Sequence, residues 1–309
     1  MSTSAAAIAP ERQTRSSTKP PAVRRSKDTR RKARNSVIWS AISVVVFLFS
    51  IFPVYWMVNS SFLPTSMIRG SELHLWPGSN FTWRNYEVAI FEQDRSPFGP
   101  ALQTSLLVTF FTLIFALLFA FLASIAISRF KFKGRYTFII TILAVQMIPA
   151  EAMMISIFRI IDSWQLLNTI VGLGMVYLAA VLPFTIWTLR GFVNAVPADL
   201  EEAAMIDGCS RTKAFWKVTF PLLAPGLVAT GVFAFIQAWN EFVMALIIMT
   251  RPENMTLPVW LRTFQQATMA TNWGALMAGA TLIAIPVVIF FMIVQGRMTG
   301  GLVSGAVKG

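Results

Sequence analysis

The chain has 309 residues, 55% of them apolar and only 13% charged, and a mean hydropathy of +0.62. A soluble domain carries about a quarter charged residues, so this composition excludes an ordinary soluble protein and places the chain among membrane proteins. The formal charge of +12 would suit nucleic acid, but 10 of the 26 Lys and Arg precede the first apolar run, which points to membrane topology instead.

Residues 1–36 are rich in Ser, Ala, Pro, Lys and Arg and read as a disordered basic cytoplasmic tail. A secretory signal has a similar outline, but the apolar run that follows is too long for one and carries no A-x-A cleavage site. Runs of about 20 apolar residues cross a bilayer as helices. Six segments qualify: 37–58, 102–127, 138–161, 169–189, 226–249 and 275–294. The third is interrupted by Pro149 and Glu151, the fourth by Pro183 and the sixth by Pro286, which membrane helices tolerate. The expected fold is therefore an all-α membrane protein of six transmembrane helices, one bundle over 37–299.

Orientation follows from the basic residues. With the N-terminus inside, the inner segments hold 20 Lys and Arg and the outer ones 5 (Arg69, Arg84, Arg95, Arg251 and Arg262). Both termini and the connection between the fourth and fifth spans are then cytoplasmic. The outer loop, 59–100, carries Trp76, Phe81, Trp83 and Tyr86, which suit either the lipid interface or a packed cover over the bundle.

The cytoplasmic loop, 191–225, is not a simple connector. Asp199 is placed to N-cap a helix, with Glu202 three residues on as its capping-box partner. Leu200, Ala203 and Ala204 make a small apolar face, and Gly208 suits the left-handed residue that ends a helix. Ser210 can cap a second short helix bearing Phe215 and Trp216, and Pro221 closes the unit. The result is a compact two-helix knob on the inner side.

The pattern Glu202-Ala203-Ala204, then Gly208, Val218, Phe220 and Pro221, resembles the EAA loop of binding-protein-dependent ABC importer permeases, with Val218 and Phe220 as conservative departures from its usual ending. The resemblance implies that this loop is a coupling helix seated in a cytoplasmic ATPase subunit through Glu202, Ala203, Ala204, Asp207, Gly208, Phe215 and Trp216. ATPase pairing and the capping box then compete for the Glu202 side chain. The stretch 52–62, followed by Leu75-Trp76-Pro77 and Asn85-Tyr86, is similar to the carbohydrate branch of that family. The Gly-rich tail 300–309, with Gly301, Leu302 and Gly305, is similar to the C-terminus of the maltose-type inner subunit, which reaches into the ATPase dimer. Taken alone, such a tail reads as a frayed, flexible strand.

Ionisable groups inside spans are functional candidates. Glu151 and Arg159 fall in the third segment, about two helical turns apart. Glu241 lies in the fifth with Gln237, Trp239, Asn240 and Phe242, and Gln146 in the third. Together they suit a polar path or gate for a hydroxyl-rich solute, with Trp239 and Phe242 as stacking faces. The plainer alternative is hydrogen bonding between helices.

The chain has no G-x-x-x-x-G-K-[ST] phosphate loop and no nucleophile–base set, so it is expected to be no enzyme, with ATP hydrolysis on a separate subunit. The single cysteine, Cys209, and single histidine, His74, leave no metal site or cofactor to expect. The outer loops are too short for a solute receptor, and six spans make half of a translocation path. The expected partners are a second six-span permease, a cytoplasmic ABC ATPase dimer, an extracellular solute-binding protein, membrane lipid and a carbohydrate of oligosaccharide size, with no nucleic acid. The expected location is the bacterial cytoplasmic membrane. The competing classes are an ion-coupled secondary transporter using Glu151 and Glu241, and an ABC permease for a non-sugar solute; a membrane enzyme lacks clustered catalytic residues.

Overall fold

The computed structural model describes residues 26–92, 97–265 and 271–306, with side chains between 35 and 296. It is all helical among the described residues. The helices in chain order are α1 (Ser26–Ser61), α2 (Thr65–Ile68), α3 (Arg84–Phe91), α4 (Phe98–Arg129), α5 (Arg135–Val145), α6 (Met154–Ser163), α7 (Ile170–Ala195), α8 (Asp199–Ile206), α9 (Arg211–Ala214), α10 (Phe220–Asn240), α11 (Val243–Ile248), α12 (Leu257–Arg262) and α13 (Trp273–Ala306). Five helical stretches are long and apolar enough to cross a membrane, and the bent pair α5–α6 makes a sixth if it counts as one span.

The chain divides after Pro53 into two units. In the first, residues 26–36 are helical and continuous with the apolar run, where composition predicts disorder; residues 1–25 lie outside the described residues.

The second unit is built around α4, α7 and α10. Along α4, Thr112, Ala116, Ala120 and Ser124 recur every fourth residue and are each fully buried. Such a row of small side chains lets helices approach closely, which is how membrane helices gain packing without a hydrophobic driving force. On the facing helix, a Cβ at Gly174 would come within 2.4 Å of the Phe111 ring, so that contact requires glycine. Thr185 and Thr230 turn their hydroxyls back to the carbonyls of Val181 and Gly226, at 2.7 and 2.9 Å. These two hydroxyls are satisfied within their own helices in this way.

Two predicted spans are not continuous helices. The third breaks after Val145, and α5 and α6 meet at 85° around a 3-10 turn, Ala150–Met153. Pro149 lacks an N–H and disfavours helical geometry at Ile148, which accounts for the break. The fifth ends at Asn240, and the chain resumes as the short α11.

At its inner end α10 is preceded by a π-helical segment, Phe215–Thr219, in which Phe220 donates its N–H to the Phe215 carbonyl. Pro221 has no N–H to give to the Lys217 carbonyl, and the wider ladder makes room for its ring. At the other end of the chain, α13 continues through Gly301, Leu302 and Gly305 to Ala306, so the tail is helical there rather than a flexible strand. Residues 307–309 lie outside the described residues.

The outer segment between 59 and 92 is packed. Asn85 donates to the carbonyls of Ser61 and Leu63, both at 2.8 Å, and Phe62 stacks on Phe81 at 4.8 Å beside Trp83 and Tyr86. Trp76 is left 76% exposed.

Candidate functional site

The knob between the long helices α7 and α10 consists of α8, α9 and the π segment. α8 starts at Asp199 behind Ala198, with no side-chain cap. The predicted capping box therefore does not form. Asp199, Glu201 and Glu202 occupy the first turn instead, where the helix dipole favours carboxylates without any cap bond. Gly208 has φ +88°, the left-handed value its position demands, and the turn closes with Cys209 N–H on the Ala204 carbonyl at 3.0 Å. Ser210 accepts from the Lys213 N–H at 3.4 Å and caps α9 as expected.

Adjacent helical residues point about 100° apart, and on α8 Glu201 turns toward the bundle while Glu202 stays outside. Glu202, Ala203, Asp207 and Gly208 are exposed, and Ala204 is half-buried. Beside them Leu200, Met205, Ile206 and Trp216 show large apolar surface, Ile206 being 87% exposed. Trp216 is half covered by Phe220, with ring centroids 4.7 Å apart. Phe215 is turned inward against Phe121 of α4 at 6.1 Å, so it anchors the knob more than it displays it.

Glu201 faces the bundle. Its Oε1 accepts from the Thr219 hydroxyl at 2.5 Å and lies 3.7 Å from Nη2 of Arg129, which also donates to the Val196 carbonyl at 3.0 Å. The two charged side chains are 18% and 20% exposed. An exposed pair such as Arg84–Glu92 contributes about 0.2–1 kcal/mol. A mostly covered pair costs far more to break than that, because removing one partner strands the other charge. The sequence reading counted Arg129 only toward topology and passed over Glu201 and Thr219. The signal available was the Glu201–Glu202 doublet, whose two members point in different directions on a helix.

The polar candidates in the spans do not form one cluster. Glu241 sits in the break between α10 and α11, where its two oxygens accept the Met244 and Ala245 N–H groups at 2.8 and 3.0 Å. It caps α11, and its own carbonyl accepts the Tyr177 hydroxyl at 3.4 Å. Asn240 bonds back to the Ile236 carbonyl at 2.8 Å, and Gln237 is exposed. Trp239 is 1% exposed and stacks on Phe235 at 5.6 Å, which removes it as a stacking face for a solute. Phe242 is better placed. It lines a recess of about 390 Å³ with Pro258, Leu261, Arg262, Gln265 and Leu276. Glu151 is exposed in the 3-10 turn and Arg159 in α6, both on the same side of the bend that follows Val145. Gln146 reaches the Ala180 carbonyl at 3.4 Å. Among the described residues no three His, Cys, Asp or Glu side chains gather as metal ligands would.

The model of the family described as binding-protein-dependent transport system inner membrane component matches residues 116–301, a stretch that includes the knob. The chain belongs to this family. It is a membrane component of a transport system whose solute arrives on a binding protein, and it is not an enzyme. Among its relatives, the diacetylchitobiose uptake system permease protein DasC of Streptomyces coelicolor is 44% identical over 88% of this chain and 97% of its own length. The trehalose transport system permease protein SugB of Mycobacterium tuberculosis is 34% identical over 90% and 99%. The trehalose/maltose transport system permease protein MalG of Thermococcus litoralis is 33% identical over 86% and 95%. A bacterial ABC transporter that imports the acidic polysaccharide alginate shares the fold, with a TM-score of 0.70 at 22% identity over 86% of this chain and 97% of that one.

Proposed function

We propose that this permease carries an oligosaccharide across the cytoplasmic membrane, as one of two six-span subunits driven by a cytoplasmic ATPase dimer. Three relatives that match 86–90% of this chain are named for transport of disaccharides or their derivatives. The α8 knob is the coupling helix, and the observation that carries this is its outer face. That face combines exposed Glu202 with Ala203, Met205 and Ile206 on a loop that the basic-residue count assigns to the cytoplasm. A carboxylate on a helix start pairs with a basic residue opposite, and apolar side chains left in water at such a place are covered when a partner arrives. The solute path runs near the break at Glu241 and the Phe242 recess, where aromatic, guanidinium and amide groups suit hydroxyls. The C-terminal residues Gly301, Leu302 and Gly305 extend α13 toward the same ATPase.

Of the two carboxylates the ion-coupled alternative would use, Glu241 has both oxygens committed to α11, which leaves that reading with Glu151 of the exposed 3-10 turn alone. The test is uptake of a labelled sugar panel by cells carrying the complete transporter, with wild-type chain and with Glu202→Lys. Wild-type uptake of at least one di- or trisaccharide is expected. The reversal should abolish uptake while the protein remains in the membrane and the ATPase continues to hydrolyse ATP. Normal uptake by the variant would refute docking through Glu202.

A further inference from the structure

A coupling helix must do more than touch its motor. It must also hold to the bundle firmly enough for a push on one face to move the spans behind it. α8 is only eight residues long and enters without a side-chain cap. The aromatic contact of Phe215 on Phe121 is made by the π segment and not by α8 itself. Among the described residues, the Glu201 carboxylate gives the inner face of α8 its directional tie to the long helices.

We infer that Arg129, Glu201 and Thr219 form a transmission latch, a set of positioning residues that passes movement of α8 to the spans; this rests on the coupling reading above. The geometry supplies the connections. Arg129 is the last residue of α4, Val196 is the C-cap of α7, and Thr219 ends the π segment that leads into α10. Two long helices reach Glu201 of α8 directly, α10 through Thr219 at 2.5 Å and α4 through Arg129 at 3.7 Å, and α7 joins them through the Val196 carbonyl that accepts from Arg129 at 3.0 Å. The guanidinium adds favourable charge at the C-terminal ends of α4 and α7, and the carboxylate sits in the first turn of α8, so each charge also suits its helix dipole. Thr219 is 1% exposed, so a pull on its hydroxyl acts on the α10 backbone and not on a mobile surface group. The π segment is the least regular part of that helix and the natural place for it to yield.

The test uses the assembled transporter in proteoliposomes, measuring ATP hydrolysis and sugar delivered per ATP for wild type, Glu201→Gln and the swap Arg129→Glu with Glu201→Arg. The isosteric Glu201→Gln leaves Glu202 and the outer face intact. It is expected to keep assembly and hydrolysis but to lower sugar delivered per ATP about tenfold, the loss of one charge-assisted contact, and the swap, which restores the pair but loses the donor to Val196 and opposes the helix dipoles, should recover part of it. Wild-type yield per ATP from Glu201→Gln overturns the latch and leaves the proposed function standing. Failure of Glu201→Gln to assemble, with no recovery in the swap, also overturns it, since the pair would then be a folding contact alone. A wild-type chain that binds no ATPase removes the coupling reading itself, and the latch with it.

Discussion

Two neighbouring carboxylates in this chain have opposite surroundings, and helix geometry alone separates them. Glu202 is exposed beside apolar surface, whereas Glu201 is held by Thr219 and Arg129. The first is legible in the sequence because it stands in a spaced motif, and the second is not, because its partners are 72 residues before it and 18 after. Spacing can report neighbours on one helix; it cannot report which distant helix end will lie beneath it. Trp239 failed as a solute contact for a related reason. Its place next to Asn240 and Glu241 looks polar in one dimension, yet its ring points into the stack with Phe235. The Gly174 contact gives a test at this scale. Gly174→Ala places a methyl group 2.4 Å from the Phe111 ring and should destabilise the chain by about 1–3 kcal/mol, read as a lower melting midpoint in detergent. An unchanged midpoint would mean that α4 and α7 are not so close.

Among elements, long apolar runs were legible and their interruptions less so. The runs that became α4, α7 and α13 were legible because about 20 apolar residues leave few alternatives in a membrane protein, but α7 and α13 continue to Ala195 and Ala306, well past the apolar runs that end at 189 and 294. Pro149 was noted as an interruption, but the 85° turn it permits depends on what packs around α5 and α6. Nothing in composition marks the break at Glu241; it becomes intelligible once that side chain is seen capping α11. Replacement separates a cap from an ion site. Glu241→Ala should destabilise the fold by about 0.5–2 kcal/mol, as loss of an N-cap does, while uptake in a stable membrane preparation stays independent of sodium and of a proton gradient. Loss of an ion dependence present in the wild type would instead show a coupling role. The π segment before Pro221 was not legible either, since proline predicts a disturbed ladder without saying which way the helix adjusts.

For the molecule as a whole, hydropathy carries the fold class, and the proposed cytoplasmic position of the knob rests on 20 inner against 5 outer basic residues. The central claim is that this knob faces the cytoplasm and is covered there by an ATPase. The chain carries its own reporter, because its single cysteine, Cys209, lies half-buried just past the end of α8. The measurement is modification of Cys209 by a membrane-impermeant maleimide, in intact spheroplasts and in inverted vesicles with and without the ATPase subunit. The account predicts no labelling from outside, ready labelling in inverted vesicles, and protection when the ATPase is bound. Labelling of intact spheroplasts, or a rate in inverted vesicles that the ATPase leaves unchanged, would contradict it.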